Sequence, residues 1–229
     1  MTLVRLIGDI HGKIADYQMF SIGDFEGPTI QLGDFGVGFY GDYWHEKMGQ
    51  WQKENPQHRF IRGNHDDPAK CKVLPGYIKD GMIENDVMFI GGAWSIDQAR
   101  RIEGVSWWRD EELSIEELYR LHDVYTAVQP RIMITHDAPE NITYEMFVQT
   151  GLALGGVGAK KMGTRTGQAF KEMFEAHQPE FWFFGHWHHT MACNAGKTCF
   201  VCLGELDYID VDLSDSDQIN QAITQRFTA

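Results

Sequence analysis

The sequence predicts an α/β fold with a largely parallel sheet, and three observations predict it. First, five short apolar or β-branched runs each stop at a small or polar residue followed by His, Asp or Asn. They are LVRLI (3–7) before GDIHG, TIQL (29–32) before GDFG, RFI (59–61) before RGNHDD, RIMITH (131–136) before DAP, and FWFF (181–184) before GHWHH. Runs of this kind read as strands buried on both faces. Second, helix-spaced patterns lie between them, over 43–54, 115–128 and 166–177, and strands alternating with helices imply parallel connections. Third, 229 residues with 43% hydrophobic content bury a sizeable core, and no linker, repeat or low-complexity tract divides the chain, so one domain over 1–229 is expected.

Taken in order, the first run delivers Asp9 and His11 to its end and the second delivers Asp34. The third delivers Asn64, His65 and Asp66, the fourth His136, and the fifth His186, His188 and His189. In parallel sheets, sites form beyond the carboxyl ends of strands, where all five polar clusters fall. The helix expected over 115–128 opens with Ser114 and Glu117, the spacing of a capping box. Near the C-terminus, KTCFVCL and LDYIDVDL read as strands of a second sheet that closes a sandwich. Four histidines, at 45, 58, 122 and 177, lie outside these loops and read as surface or core residues.

Composition narrows the function. Thirty-three acidic residues against 20 basic ones give a net charge of −13, which excludes a surface built to coat long duplex nucleic acid or an anionic membrane. No stretch approaches the roughly 20 apolar residues of a membrane span, and MTLVRLIGDIHG lacks the parts of a secretion signal, so a cytoplasmic protein is expected. The four cysteines do not form a zinc spacing. Cys199 and Cys202 sit within an apolar strand-like run, as structural thiols do.

The chemistry lies in the polar loops. Asp9 and His11 are two apart, as are His186 and His188, and on an extended segment such pairs point to one side. With Asp34, Asn64 and His136 they make seven oxygen or nitrogen donors. A single tetrahedral ion needs only four ligands, whereas seven suit two adjacent ions that share a carboxylate. The absence of thiolates favours Mn²⁺, Fe²⁺ or Zn²⁺. Paired metals ~3.5–4 Å apart acidify water and stabilise charge in displacement at phosphorus. His65 is then the expected general acid for the leaving oxygen, with Asp66 or Asp67 orienting its ring.

The ordered blocks GDIHG, GDFG, GNHDD, THD and GHWHH resemble the calcineurin-like metallophosphoesterases, whose pattern is Asp-x-His, Gly-Asp, Gly-Asn-His-Asp/Glu, a lone His and Gly-His-x-His. The resemblance runs from Asp9 to His188. It implies a four-layer α/β/β/α sandwich and two divalent ions, Mn²⁺ first, with Fe²⁺, Zn²⁺ or Ni²⁺ as alternatives. Asp9, His11 and His188 would hold one ion, Asn64, His136 and His186 the other, and Asp34 would bridge them. His65 would be the acid acting on a phosphomonoester or phosphodiester. His189 has no place in the pattern.

The match departs in its second block. Val37 and Gly38 stand where protein Ser/Thr phosphatases carry an Asp and a phosphate-binding Arg, which favours a small-molecule or nucleotide phosphoester over a phosphoprotein. A Ser/Thr-type protein phosphatase, a nuclease acting on nucleic-acid ends and a non-catalytic scaffold are the alternatives. Substrate contacts are expected from Arg62, and from Arg100, Arg101, Trp107 and Trp108 in the 91–113 segment. Lys160, Lys161 and Arg165, in the glycine-rich stretch 155–167, are further candidates. GVGFYG (36–41) mimics a dinucleotide-binding fingerprint, but Asp34 beside it would repel a pyrophosphate. DFG (34–36) lacks the companion motifs of a kinase.

Overall fold

The computed structural model describes residues 3–23, 25–152 and 163–227. Its strands are β1 Val4–Ile7, β2 Thr29–Gln31, β3 His58–Phe60, β4 Met82–Glu84, β5 Val87–Ile90, β6 Ile132–Thr135, β7 Phe181–Phe184, β8 Met191–Ala195, β9 Thr198–Cys202 and β10 Tyr208–Val211. Its α-helices are α1 Ile14–Asp16, α2 Asp42–Glu54, α3 Pro68–Cys71, α4 Ile115–Val128, α5 Glu140–Thr143, α6 Arg165–Ala176 and α7 Ser216–Phe227. Wider π-helical turns extend α1 over Tyr17–Ile22 and α5 over Tyr144–Val148. Among the described residues, no helix is long and apolar enough to cross a membrane.

The fold is mixed α/β with two sheets. One sheet has the order β10-β1-β2-β3, the other β4-β5-β6-β7-β9-β8. The five runs read from the sequence all form strands, but they divide between the sheets: β1, β2 and β3 are parallel neighbours in one, β6 and β7 in the other. This corrects the expectation that the C-terminal runs form a second sheet of their own. Instead, β9 pairs in parallel with β7 and β10 pairs antiparallel with β1, so each extends a sheet begun earlier. The β4–β5 hairpin went unread. Its two-residue turn, Asn85-Asp86, has both residues at positive φ (47° and 64°), which matches the twist of the flanking strands.

Side-chain alternation explains the unbroken apolar runs. Phe181 and Phe183 of β7 enter a cluster with Leu6, Ile30, Ile209 and Val211 of the first sheet, so the two sheets face each other. Trp182 and Phe184 point the other way, into a cluster with Leu118 and Leu121 of α4 and Phe170 and Met173 of α6. Each fully buried side chain of this size contributes ~1.5–3 kcal/mol. The outer face of the first sheet is covered by α1, α2 and α3, through Tyr17, Met48 and Cys71 against Ile7 and Phe60. The capping box at Ser114 and Glu117 is formed, and it starts α4 where the sequence indicates. All four cysteines are free.

In register, Ile7 lies beside Gln31 and Gln31 beside Phe60. Ile90 lies beside Thr135, and Phe184 beside Cys202. The strands of each sheet therefore end level, and the polar loops leave from one rim.

Candidate metal centre

The loops beyond that rim are not extended. His11, Asp34, His186 and His188 all have positive φ (45°, 57°, 66° and 54°), a conformation that costs an ordinary residue ~1–3 kcal/mol and clusters at functional sites. The i, i+2 alternation expected of Asp9–His11 and His186–His188 therefore does not bring these side chains together. Tight left-handed turns do, and they send His186 and His188 to different neighbours. Glycines leave room for this. A Cβ on Gly33, itself at φ +98°, would lie 2.3 Å from His136 Nδ1, and one on Gly63 would lie 2.0 Å from Asp34 Oδ1.

Asp9, His11, Asp34 and His188 offer ligand atoms that all lie within 4.8 Å of one another, a grouping that could hold a metal ion. His188 Nε2 is 3.1 Å from Asp9 Oδ2, and His11 Nε2 is 3.0 Å from His188 Nε2. His11 also turns its Nδ1 to within 3.7 Å of Asp34 Oδ2. Both carboxylates are buried, and Asp9 Oδ2 and Asp34 Oδ2 accept no aligned hydrogen bond. Buried anionic oxygens are costly without a partner. Two such oxygens ringed by imidazole nitrogens fit a divalent cation.

Asn64, His136 and His186 gather on the other side of Asp34. His136 Nε2 is 3.0 Å from Asn64 Oδ1 and 3.4 Å from Asp34 Oδ1, and the His136 and His186 rings lie edge to face at 5.1 Å. His136 Nδ1 donates to the Leu32 carbonyl at 2.7 Å, which aims Nε2 at the carboxylates. Burial disfavours charge on His136, but the Asp34 carboxylate outweighs it and raises the ring to about 10. His186, partly buried beside His136, is pushed down to about 3 by desolvation and by His136, and stays neutral. Burial would raise the Asp34 carboxyl, yet His136 and His65 hold it well below its ordinary value. The pair of carboxylates thus demands positive charge, which a proton on His136 meets here and a metal would meet equally.

Asn64 is held in place by residues the sequence reading missed. Its Nδ2 donates to Ser95 Oγ at 2.9 Å, and Ser95 Oγ donates to Glu111 Oε2 at 2.5 Å. Ser95 N also donates to Glu111 Oε1. Glu111 is buried, and burial raises its carboxyl. No local spacing announces this relay; only the packing of two loops joins it.

Several expected site residues do other work. Asp66 does not orient His65. Its buried carboxylate accepts backbone N–H bonds from Phe35, Gly36, Val37 and Gly63 at 2.7–3.1 Å, which ties the GDFG and GNHDD loops together. Asp67 caps α3. Arg62 is buried, with Nε paired with Asp80 at 3.0 Å and Nη1 bonded to the Asp110 and Glu111 carbonyls, so Nε and Nη1 are engaged within the fold. Arg165 reaches Glu112 at 3.6 Å from the start of α6, and Arg100 is exposed. Arg101 does come to the site: its Nη2 is 3.2 Å from His65 Nε2, and Asp97 holds its Nε at 2.6 Å. Trp108 is core, against Gly38, while Trp107 is half-buried. Lys160 and Lys161 lie outside the described residues. His189 approaches the Leu152 carbonyl at 3.2 Å, away from the acidic pair.

No family model and no curated protein matches the chain. Among solved structures, it is similar to a Staphylococcus aureus protein assigned as a 5′-nucleotidase, at 13% identity and TM-score 0.49, over 95% of this chain and 52% of that one. It is similar also to the phosphopantetheinyl hydrolase of Mycobacterium tuberculosis, at 12% identity and TM-score 0.47, over 89% of this chain and 90% of that one. A third is the sulfate thiohydrolase of Thermus thermophilus, at 13% identity and TM-score 0.42, over 90% and 39% of the respective chains. The chain spans about half the length of the nucleotidase.

Proposed function

We propose that the chain is a metal-dependent phosphoesterase acting on a phosphomonoester or phosphodiester. The observation that carries this reading is the pair of buried, unbonded carboxylate oxygens on Asp9 and Asp34 amid histidine nitrogens. In this reading Asp9, His11 and His188 would hold one divalent ion and Asn64, His136 and His186 a second, with Asp34 available to both. The two facing sheets would be the inner layers of a four-layer α/β/β/α sandwich and the helices on their outer faces the outer layers, with 1–229 as one domain. Mn²⁺ suits the nitrogen and oxygen donors best. Bound there, the ions would activate water as the nucleophile and neutralise charge on the phosphoryl oxygens.

The remaining work falls to His65 and Arg101. His65 Nδ1 is buried without a partner, and Nε2 faces the Arg101 guanidinium. Because a guanidinium only donates, the resting ring keeps its proton on Nδ1. Burial, reinforced by Arg101, holds that ring below its ordinary value. An arriving phosphoryl group offers Arg101 a better acceptor, and its negative charge favours protonated His65. Protonated from solvent at Nε2, His65 would give that proton to the leaving oxygen and return to its neutral form with Nδ1–H. Loss of such an acid costs ~10²–10⁴-fold in rate.

The test strips the protein of metal and compares p-nitrophenyl phosphate with bis-p-nitrophenyl phosphate under Mn²⁺, Ni²⁺, Zn²⁺ and Mg²⁺. Metal-dependent release that disappears in Asp34→Asn and falls in His65→Ala is expected. Release from the diester assigns a phosphodiesterase, and release from the monoester alone assigns a phosphatase. Silence with every metal, while ions still bind, would reject the enzyme in favour of a scaffold.

A further inference from the structure

Beside His11 the chain carries an aromatic wall that neither the metal ligands nor the core requires. Phe39 is half-buried, and its ring stacks near-parallel to His11, at 6.5 Å between centroids and 14° between planes. It also lies 6.4 Å from the His65 ring. Next along the chain, Tyr40 lies over Gly12, where an added Cβ would come within 2.8 Å of its ring. Tyr40 in turn packs on Trp44 at 5.6 Å, yet remains 48% exposed, and Tyr43 is 74% exposed. Apolar rings left in water next to a polar site are a cost that single surface residues need not explain but a contiguous group does.

The wall is also held rigidly. Asp66 takes the amides of Phe35, Gly36 and Val37, and Asp67 N donates to the Val37 carbonyl at 2.8 Å. Gly36, at φ +96°, sits so close to Gly12 that a Cβ would fall 2.3 Å from its nitrogen. These contacts fix residues 35–37 beside Gly12, and Phe39 N donates to the Gly36 carbonyl at 3.2 Å. A pre-formed aromatic surface binds a flat partner with little ordering cost. Val37 and Gly38 bring no charge, and exposed Asp42 is paired with Lys70 at 3.2 Å, so the wall suits an uncharged ring rather than more phosphate.

We propose that Phe39 and Tyr40 form a subsite for a planar aromatic group carried by the phosphoester, as a nucleotide or an aryl phosphate would present. This rests on the phosphoesterase reading of the adjoining centre. Stacking on an aromatic side chain contributes enough that its loss weakens binding about 5- to 150-fold.

The experiment has a catalytic and a binding arm. With the Mn²⁺-loaded protein, kcat/KM is measured for adenosine 5′-monophosphate, phenyl phosphate and ribose 5-phosphate. The preference for the aromatic esters over ribose 5-phosphate should fall about 5- to 150-fold in Phe39→Leu and in Tyr40→Ala. A drop confined to the nucleotide assigns a nucleobase, and one confined to phenyl phosphate assigns an aryl group. In parallel, adenosine binding is followed by tryptophan fluorescence, and it should weaken by the same factor in both variants. Phe39→Leu preserves apolar volume, and Tyr40→Ala leaves the His11 stack intact, so misfolding of one variant leaves the other informative. An unchanged preference and unchanged adenosine affinity in both variants overturn the subsite. If no ester is hydrolysed but adenosine binds and the variants lose it, the subsite stands and the phosphoesterase reading falls.

Discussion

Ser95→Ala tests the relay that aims Asn64. The hydroxyl accepts from Asn64 Nδ2 at 2.9 Å and donates to Glu111 Oε2 at 2.5 Å, so its removal strands one buried donor and one buried acceptor. Each stranded group costs ~1–3 kcal/mol, and the Asn64 amide is released to rotate. Its Oδ1, now 3.0 Å from His136 Nε2, would no longer be held toward the second group of ligands. Loss of such an outer partner lowers metal affinity about 10- to 100-fold, equivalent to ~1.4–2.7 kcal/mol. Calorimetric titration with Mn²⁺ should show one binding step weakened by that factor. The other step, through Asp9, His11 and His188, should be nearly unchanged. Glu111→Gln, which leaves the serine hydroxyl beside Asn64, should weaken the same step less. Two unaltered steps in folded Ser95→Ala would refute the claim that this serine positions a ligand.

Arg62→Ala should lower stability by ~1.5–3 kcal/mol, because it removes a charge-assisted bond to half-buried Asp80, which keeps Gly91 N and the Tyr77 hydroxyl as donors; a normal melting temperature with a raised KM would instead make Arg62 a substrate contact. Gly63→Ala, whose Cβ would sit 2.0 Å from Asp34 Oδ1 and 2.2 Å from Asp34 N, should cost ~1–3 kcal/mol or more and abolish metal binding in the folded fraction, read by thermal melts with and without Mn²⁺. For the unaltered protein, Mn²⁺ at 100 times its Kd should add ~2.7 kcal/mol per site. In a chain of this size that raises Tm by about 5–11 °C. The rise should be lost on chelation and in Asp34→Asn, and a Tm indifferent to metal would contradict the carboxylate argument.

Much of the fold was legible in neighbours along the chain. FWFF reads as a strand buried on both faces because alternation sends Phe181 and Phe183 one way and Trp182 and Phe184 the other. Ser114 and Glu117 start α4 through bonds that reach only three residues. The sequence by itself therefore determined where strands end, where α4 begins, and which loops carry His, Asp and Asn. The turn at Asn85-Asp86 was equally local, and the β4–β5 hairpin it makes was readable there.

What only the tertiary structure decided is which side chain meets which. Asp66 stands beside His65 in the chain, yet its carboxylate is spent on amides of the preceding GDFG loop. Arg62, one residue from the GNHDD block, faces Asp80 and the 110–111 carbonyls, away from the site. Arg101 reaches His65 from 36 residues away, and Glu111 steadies Asn64 through Ser95. The division of strands between two sheets belongs with these, since β9 and β10 diverge within six residues to join opposite partners. The reason is physical. Periodicity and caps are set by bonds spanning three or four residues, whereas a polar side chain's partner depends on which distant loops the sheets bring to the same rim.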